Sequence, residues 1–222
     1  MSACLVLVRH GQSEWNLAGR MQGHAGPGLS AAGRVQAETT AAHLTTTLGS
    51  VDRIVRSDLP RVTETATPAE AAFGIRAQVD PRLREIDVGT WAGLTWPEVE
   101  ATDAATLAAW HGGRDVRRGG GETFAELRSR VWAVVSELAV ATGTVLVFTH
   151  GGPIRVAVAE ALGLPPLGER LLAPVDNCSL TELSLGATSV VVSYNRADHL
   201  LAVPAPAQSG WLASDLRGRR RS

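Results

Sequence analysis

Two unbroken apolar runs, each ending in His-Gly, constrain this chain more than anything else in it. Residues 3–8 run into "RHGQ", and residues 144–149, "TVLVFT", run into "HGG", so His10-Gly11 and His150-Gly151 hold matching positions. A continuous apolar run of that length suits a strand buried on both faces, as in a parallel sheet covered by helices. In open α/β sheets ligands bind beyond the carboxyl ends of the strands. Both imidazoles are therefore expected at one sheet edge, beside glycines that let backbone N–H groups approach a ligand.

The rest of the chain supplies the helices. Ser30 can cap a helix through an alanine-rich stretch to about Leu48. Residues 53–56 read as a short strand, followed by a helix beginning near Asp58 to Pro60 that Pro68 should break or kink. Residues 95–111 read as short helices stopped by Gly112 and Gly113, and Gly119 to Gly121 form a flexible joint. A helix starting near Glu122 places Phe124, Leu127, Val131, Val134, Val135 and Leu138 on one face. A further helix should follow Gly152-Pro153, and 178–185 and 189–194 read as late strands. Strands alternating with helices predict an α/β fold: a single domain, residues 1–205, with a mostly parallel central sheet flanked by helices. Residues 206–222 are expected to be a flexible, basic C-terminal tail.

Composition narrows the function. No apolar run approaches the length of a membrane span, and the N-terminus has no secretory pattern. Cys4 and Cys178 lie far apart in apolar contexts and read as reduced thiols, which fits a cytoplasmic protein. All 21 cationic residues are arginine, so any mechanism that needs a lysine is excluded. Four of those arginines lie in the last six residues. The other 17 face all 22 acids, so the body carries −5. The tail reads as a terminus rather than a nucleic-acid contact.

Arg9 precedes the first histidine, and "RIVRSDLPR" delivers Arg61 to the first turn of the next helix. Guanidinium groups near helix N-termini attract anions, and phosphate fits the arginine fork best. A metal is the competing ligand for two histidines, but flanking arginines repel a divalent cation and no His-x-x-x-His spacing or cysteine pair is present. An imidazole beside a phosphoryl group can attack phosphorus and form a phosphohistidine that water then hydrolyses. An acid must protonate the departing oxygen. "LREIDVGTWAG", residues 83–93, offers Glu85 and Asp87, and spacing alone does not choose between them.

Six segments then match one family in order. "RHGQSEWN" at 9–16 resembles the Arg-His-Gly signature of the histidine phosphatase superfamily, the phosphoglycerate mutase-like fold. "GLSAAGRVQA" at 28–37, "SDLPRVTETA" at 57–66, "LREIDVGTWAG", "GGET" at 120–123 and "VFTHGG" at 147–152 are similar to its further motifs. The resemblance implies that His10 is the phosphorylated nucleophile and Glu85 the general acid. It implies that Arg9, Arg61, His150 and Asn16 hold the phosphoryl oxygens, with the Gly151 N–H assisting. Gln22 and Gly23, with His24 nearby, would border the substrate. Glu122 would either support the pocket or favour a helix N-terminus.

The mutases of that family carry a substrate-binding lysine and a longer segment before the second histidine; this chain has neither, and its Arg117-Arg118 lacks the surroundings of their paired arginine. The expectation is a phosphatase that uses no cofactor and no metal; the alternatives are a phosphoglycerate mutase or phosphotransferase with the same catalytic residues, or a catalytically silent phospho-ligand binding protein. Its expected partner is a small phosphorylated metabolite, not nucleic acid or membrane, with a homodimer left open. Turnover is expected to favour mildly acid pH. Residues 95–121 form the expected lid. Within it Trp96, Trp110, His111 and Arg114 read as packing first and substrate contacts second.

Overall fold

The computed structural model describes residues 3–140 and 142–201. Its strands are β1 (Ala3–Arg9), β2 (Arg53–Arg56), β3 (Gln78–Val79), β4 (Gly143–Thr149), β5 (Leu180–Leu185) and β6 (Val190–Arg196). They form one sheet in the order β3-β2-β4-β1-β5-β6. The first four are parallel, and β5 and β6 close the other end antiparallel. The chain is thus a single α/β domain with a mostly parallel sheet.

The apolar runs are unbroken because alternate residues serve two cores. Leu5 and Leu7 of β1 join Val145 and Val147 of β4 under α5 (Phe124–Ala139) and α6 (Gly151–Ala161). Val6 and Val8 join Leu146 and Phe148 under α2 (Ala31–Leu48) and α3 (Pro60–Phe73). Ser30 caps α2, its hydroxyl accepting from Gly33 N. All six apolar residues expected on one face of α5 are buried. That helix starts at Phe124 rather than near Glu122, because Thr123 and Glu126 form a capping box ahead of it. Helix α6 starts at Gly151, before the expected Gly152-Pro153; Pro153 fits its first turn, where no N–H is required.

Two expectations about breaks have different outcomes. Pro68 does not end α3, which runs unbroken to Phe73. Val62, Ala66 and Ala69 bury on both sides of the proline and hold the helix together. The stretch 95–111 is α4 (Trp96–His111), and it does change direction, at Asp103 (φ −146°, ψ 50°). Asp103 Oδ1 accepts from Thr106 N at 3.3 Å and restarts the helix, while Oδ2 accepts from Trp91 Nε1 at 2.9 Å.

Strand register decides which residues meet at the sheet edge. Arg9 pairs with Thr149, and Arg56 with Phe148. The chain therefore leaves the sheet at one level at His10, Ser57 and His150. Among the described residues no helix is long and apolar enough to cross a membrane. Cys4 and Cys178 are free thiols. The arginine tail and the expected boundary at 205/206 lie outside the described residues.

Candidate active site

His10 is fixed by backbone before its ring is considered. Its N–H donates to Thr149 O at 3.0 Å, and its carbonyl accepts from Asn177 Nδ2 at 2.9 Å. Ring Nδ1 lies 2.7 Å from Gly11 O. A carbonyl oxygen only accepts, so Nδ1 carries the proton and Nε2 keeps the lone pair. Burial, then Arg61 and Arg9, hold this imidazole well below the usual pKa of 6.5, so it is neutral. The loop after it passes tightly against α2: a methyl at Gly11 would stand 2.6 Å from Gly33 O, and one at Gly33 would stand 2.0 Å from Gln12 O. The Gly11 N–H donates to Thr65 Oγ1 at 2.9 Å, which ties the loop to α3.

Arg61, also on α3, is fully buried. Its Nη1 donates to Ala25 O at 3.0 Å and its Nη2 to Gly23 O at 2.8 Å, while Nε has no partner. Burial pulls its pKa down to about 10, against the pull of Glu85, so it remains a cation at neutral pH. Arg9 donates through Nη1 to Val175 O, and its buried Nε is likewise unpartnered. The His150 ring centroid is 5.2 Å from that of His10, edge-on at 62°. Its Nε2 lies 3.1 Å from Ser57 Oγ, and its buried Nδ1 has no partner. Burial and the same arginines push its pKa well below 6.5. A fully buried guanidinium and a partly buried one, each with a buried Nε to spare and set beside neutral imidazoles, favour a bound anion because unpaired buried charge is costly.

The structure separates the two candidate acids. Glu85 borders the same cavity as His10 and Arg61; Asp87 turns away, its Oδ1 accepting from Gly89 N at 2.8 Å. The Glu85 carboxyl accepts from Ile86 N at 2.8 Å and from Gly152 N at 3.1 and 3.2 Å. Its backbone carbonyl accepts from Arg130 Nη2 and from His24 Nε2, both at 2.8 Å. Arg130 also donates to the carbonyls of Arg82 and Arg84 and to both Glu122 oxygens, each at 2.7 Å. Glu122 in turn accepts from Asp87 N at 2.8 Å. Glu122 therefore serves this loop rather than a helix end, and His24 holds the Glu85 backbone rather than the cavity.

The cavity measures about 310 Å3, within the range of small-molecule sites. Asn16, Gln22, Gly23 and Gly151 border it, with Arg9, His10, Arg61 and Glu85. Asn16 is placed by α1 (Glu14–Leu17), whose cap Ser13 exchanges hydrogen bonds with it. Ser13 Oγ also donates to Gln22 Oε1 at 2.8 Å. His150 is not on the wall; it is buried beside His10. Trp96 and Trp110 are on the wall, which favours the second of the two readings given them, substrate contact, whereas His111 and Arg114 are not. Among the described residues, no three of His, Cys, Asp and Glu converge to hold a metal ion.

Sequence reasoning missed several residues here. Ser57 follows β2 as the histidines follow their strands, so the same edge argument could have found it. Gly152 directly follows His150-Gly151 and lies within reach of the same argument; Arg118, Arg130, Arg155 and Asn177 carry no local signal for a role here.

Comparison with known proteins shows the family. The histidine phosphatase superfamily, branch 1, matches residues 5–196. Glucosyl-3-phosphoglycerate phosphatase of Mycobacterium tuberculosis is 34% identical, over 81% of this chain and 84% of that protein. A probable phosphoglycerate mutase, GpmB, of Yersinia enterocolitica is 35% identical, over 81% and 83%. The solved structure of mycobacterial glucosyl-3-phosphoglycerate phosphatase with VO3 superposes with a TM-score of 0.79 at 33% identity, covering 87% of this chain and 99% of that one. The chain belongs to the histidine phosphatase superfamily.

Proposed function

We propose that this protein hydrolyses phosphate monoesters of a small metabolite in two steps through a phosphohistidine at His10, in the cytoplasm. The observation that carries the reading is the His10 ring: neutral, with its Nδ1 proton committed to Gly11 O, and sharing its cavity with Arg9 and Arg61, whose buried Nε groups have no hydrogen-bond partner. In the first step Nε2 attacks phosphorus and the bond to the ester oxygen breaks. Glu85 gives its proton to the departing alkoxide, which leaves as the alcohol. In the second step Glu85 takes a proton from water as that water attacks phosphorus, and the P–N bond breaks to return inorganic phosphate and His10. Arg9 and Arg61 supply the positive charge for the equatorial oxygens, with Asn16 and the Gly151 N–H as further donors and His150 alongside. Gln22 and Gly23 border the alcohol side. Two free cysteines support the cytoplasmic placement.

The test is phosphate release from a panel of phosphomonoesters that includes 3-phosphoglycerate, in excess chelator, with His10→Ala as control. Chelator-resistant release that disappears in the variant is the expected result; release that survives in His10→Ala contradicts the assignment. The likeness to a probable phosphoglycerate mutase motivates a second reading, phosphoryl transfer within 3-phosphoglycerate. Isomerisation to 2-phosphoglycerate outpacing phosphate release would favour it.

A further inference from the structure

The cavity lining includes two unlike sets of residues. Arg9, His10, Arg61 and Glu85 are one; Trp96, Trp110 and Phe124 are the other, an aromatic wall. The aromatic wall is built by the turn at Asp103. The first residue of α4 and one in its last turn come together, and the Trp96 and Trp110 rings stack with centroids 5.4 Å apart at 14°. Arg118 lies over Trp110 at 5.6 Å and over Phe124 at 4.8 Å, bracing the wall by cation–π contact.

Several polar groups around this space are engaged with the protein itself, whereas Trp110 Nε1 is buried without a hydrogen-bond partner. Arg155 donates through Nε and Nη2 to Glu169 O at 3.0 and 2.7 Å. Asn195 donates to Asp176 Oδ2 at 3.0 Å and accepts from Asp176 N at 2.7 Å. Gln22 Oε1 is occupied by Ser13 Oγ. A polyhydroxylated body entering here would give up water for few new hydrogen bonds, and each unmet hydroxyl is costly. A flat apolar body loses little and gains ring contact.

We propose that the alcohol portion of the substrate is a flat, largely apolar ring system seated against Trp96, Trp110 and Phe124, in contrast to the glucosylated phosphoglycerate for which the mycobacterial relatives are named. The inference rests on the phosphatase reading and sets the substrate class of the same site. Trp96 and Trp110 are then the specificity-determining residues: they touch the body of the ester and leave the phosphoryl end alone.

The experiment compares kcat/KM for 2-phenylethyl phosphate and naphthylmethyl phosphate with that for glycerol 1-phosphate and glucose 6-phosphate. All four release alkyl alcohols, so body shape is the main variable. The arylalkyl esters should be preferred by about tenfold or more, and Trp96→Ala should remove most of that preference. Competitive inhibition by inorganic phosphate should be unchanged in the variant. Because Trp110 belongs to the core, Trp96, at the start of α4, is the position to change. A polyol preference in the wild type, or a Trp96→Ala variant with the wild-type ratio, overturns the inference. Binding of the matching phosphonates, whose bond from phosphorus to the body cannot be hydrolysed, reads the same preference without turnover. Arylalkyl preference in binding with no hydrolysis of any ester would overturn the hydrolase reading alone; equal phosphonate affinities would overturn this one.

Discussion

His10 and Glu85 depend on single backbone groups from distant parts of the chain. The Gly152 N–H holds the Glu85 carboxyl, and a methyl at Gly152 would stand 2.2 Å from Glu85 Oε1. Gly152→Ala should therefore displace the acid and lower kcat/KM on alkyl esters by about 100-fold, with little loss of kcat/KM on p-nitrophenyl phosphate, whose leaving group needs no proton. Steady-state kinetics on the two ester types checks this. The pH profile tests His10 itself. Because its pKa is depressed, the ring stays neutral as pH falls through 6.5, where an ordinary histidine would protonate and lose its lone pair. After correction for the ester's own second ionisation near pH 6, kcat/KM should show no acid limb at the ordinary histidine pKa; a limb with its midpoint at 6.5 contradicts this. At this scale the sequence is readable where chemistry follows a strand directly, as at Arg9-His10 and His150. It is silent on the contact between Gly152 and Glu85, which lie 67 residues apart and meet only because α6 starts beside the acid loop.

The acid loop also shows how whole elements serve the site. Arg130, on α5, gathers the carbonyls of Arg82, Arg84 and Glu85 and both oxygens of Glu122. Removing that clamp with Arg130→Gln should lower kcat/KM on alkyl esters by about tenfold or more while kcat/KM on p-nitrophenyl phosphate changes little. A uniform loss on both ester types would mean that Arg130 serves stability alone. Pro68 offers a separate test. It sits inside α3 with no N–H to give, so Pro68→Ala restores a helical hydrogen bond and should stabilise the fold by roughly 1–3 kcal/mol, seen as a raised Tm. Element boundaries are legible where caps are explicit, as at Ser30. The uninterrupted α3 is not, since burial of Val62, Ala66 and Ala69 overrides the local cost of proline. The 95–111 region reads correctly as short helices, yet the stacking of Trp96 on Trp110 depends on the angle at Asp103, which no periodicity reports.

For the whole molecule, the order β3-β2-β4-β1 and the Arg9–Thr149 register carry both histidines to one edge, an arrangement that two matched strand endings predict by themselves. That placement has a thermodynamic consequence. His10 and His150 are neutral and buried when folded, whereas in the unfolded chain they titrate near 6.5. Below that pH the unfolded state binds more protons, so stability should fall on acidification, by roughly 1 kcal/mol per pH unit for each ring. Urea titrations between about pH 7 and 5 should show the slope, and His10→Gln should reduce it. The central claim is the covalent intermediate, and rapid-quench mass spectrometry during turnover of a good ester, with site mapping, tests it most directly. The predicted result is one acid-labile, alkali-stable phosphoryl group on His10, formed and lost at rates that match turnover. Sustained turnover with His10 unmodified, or with the label on another residue, would contradict it.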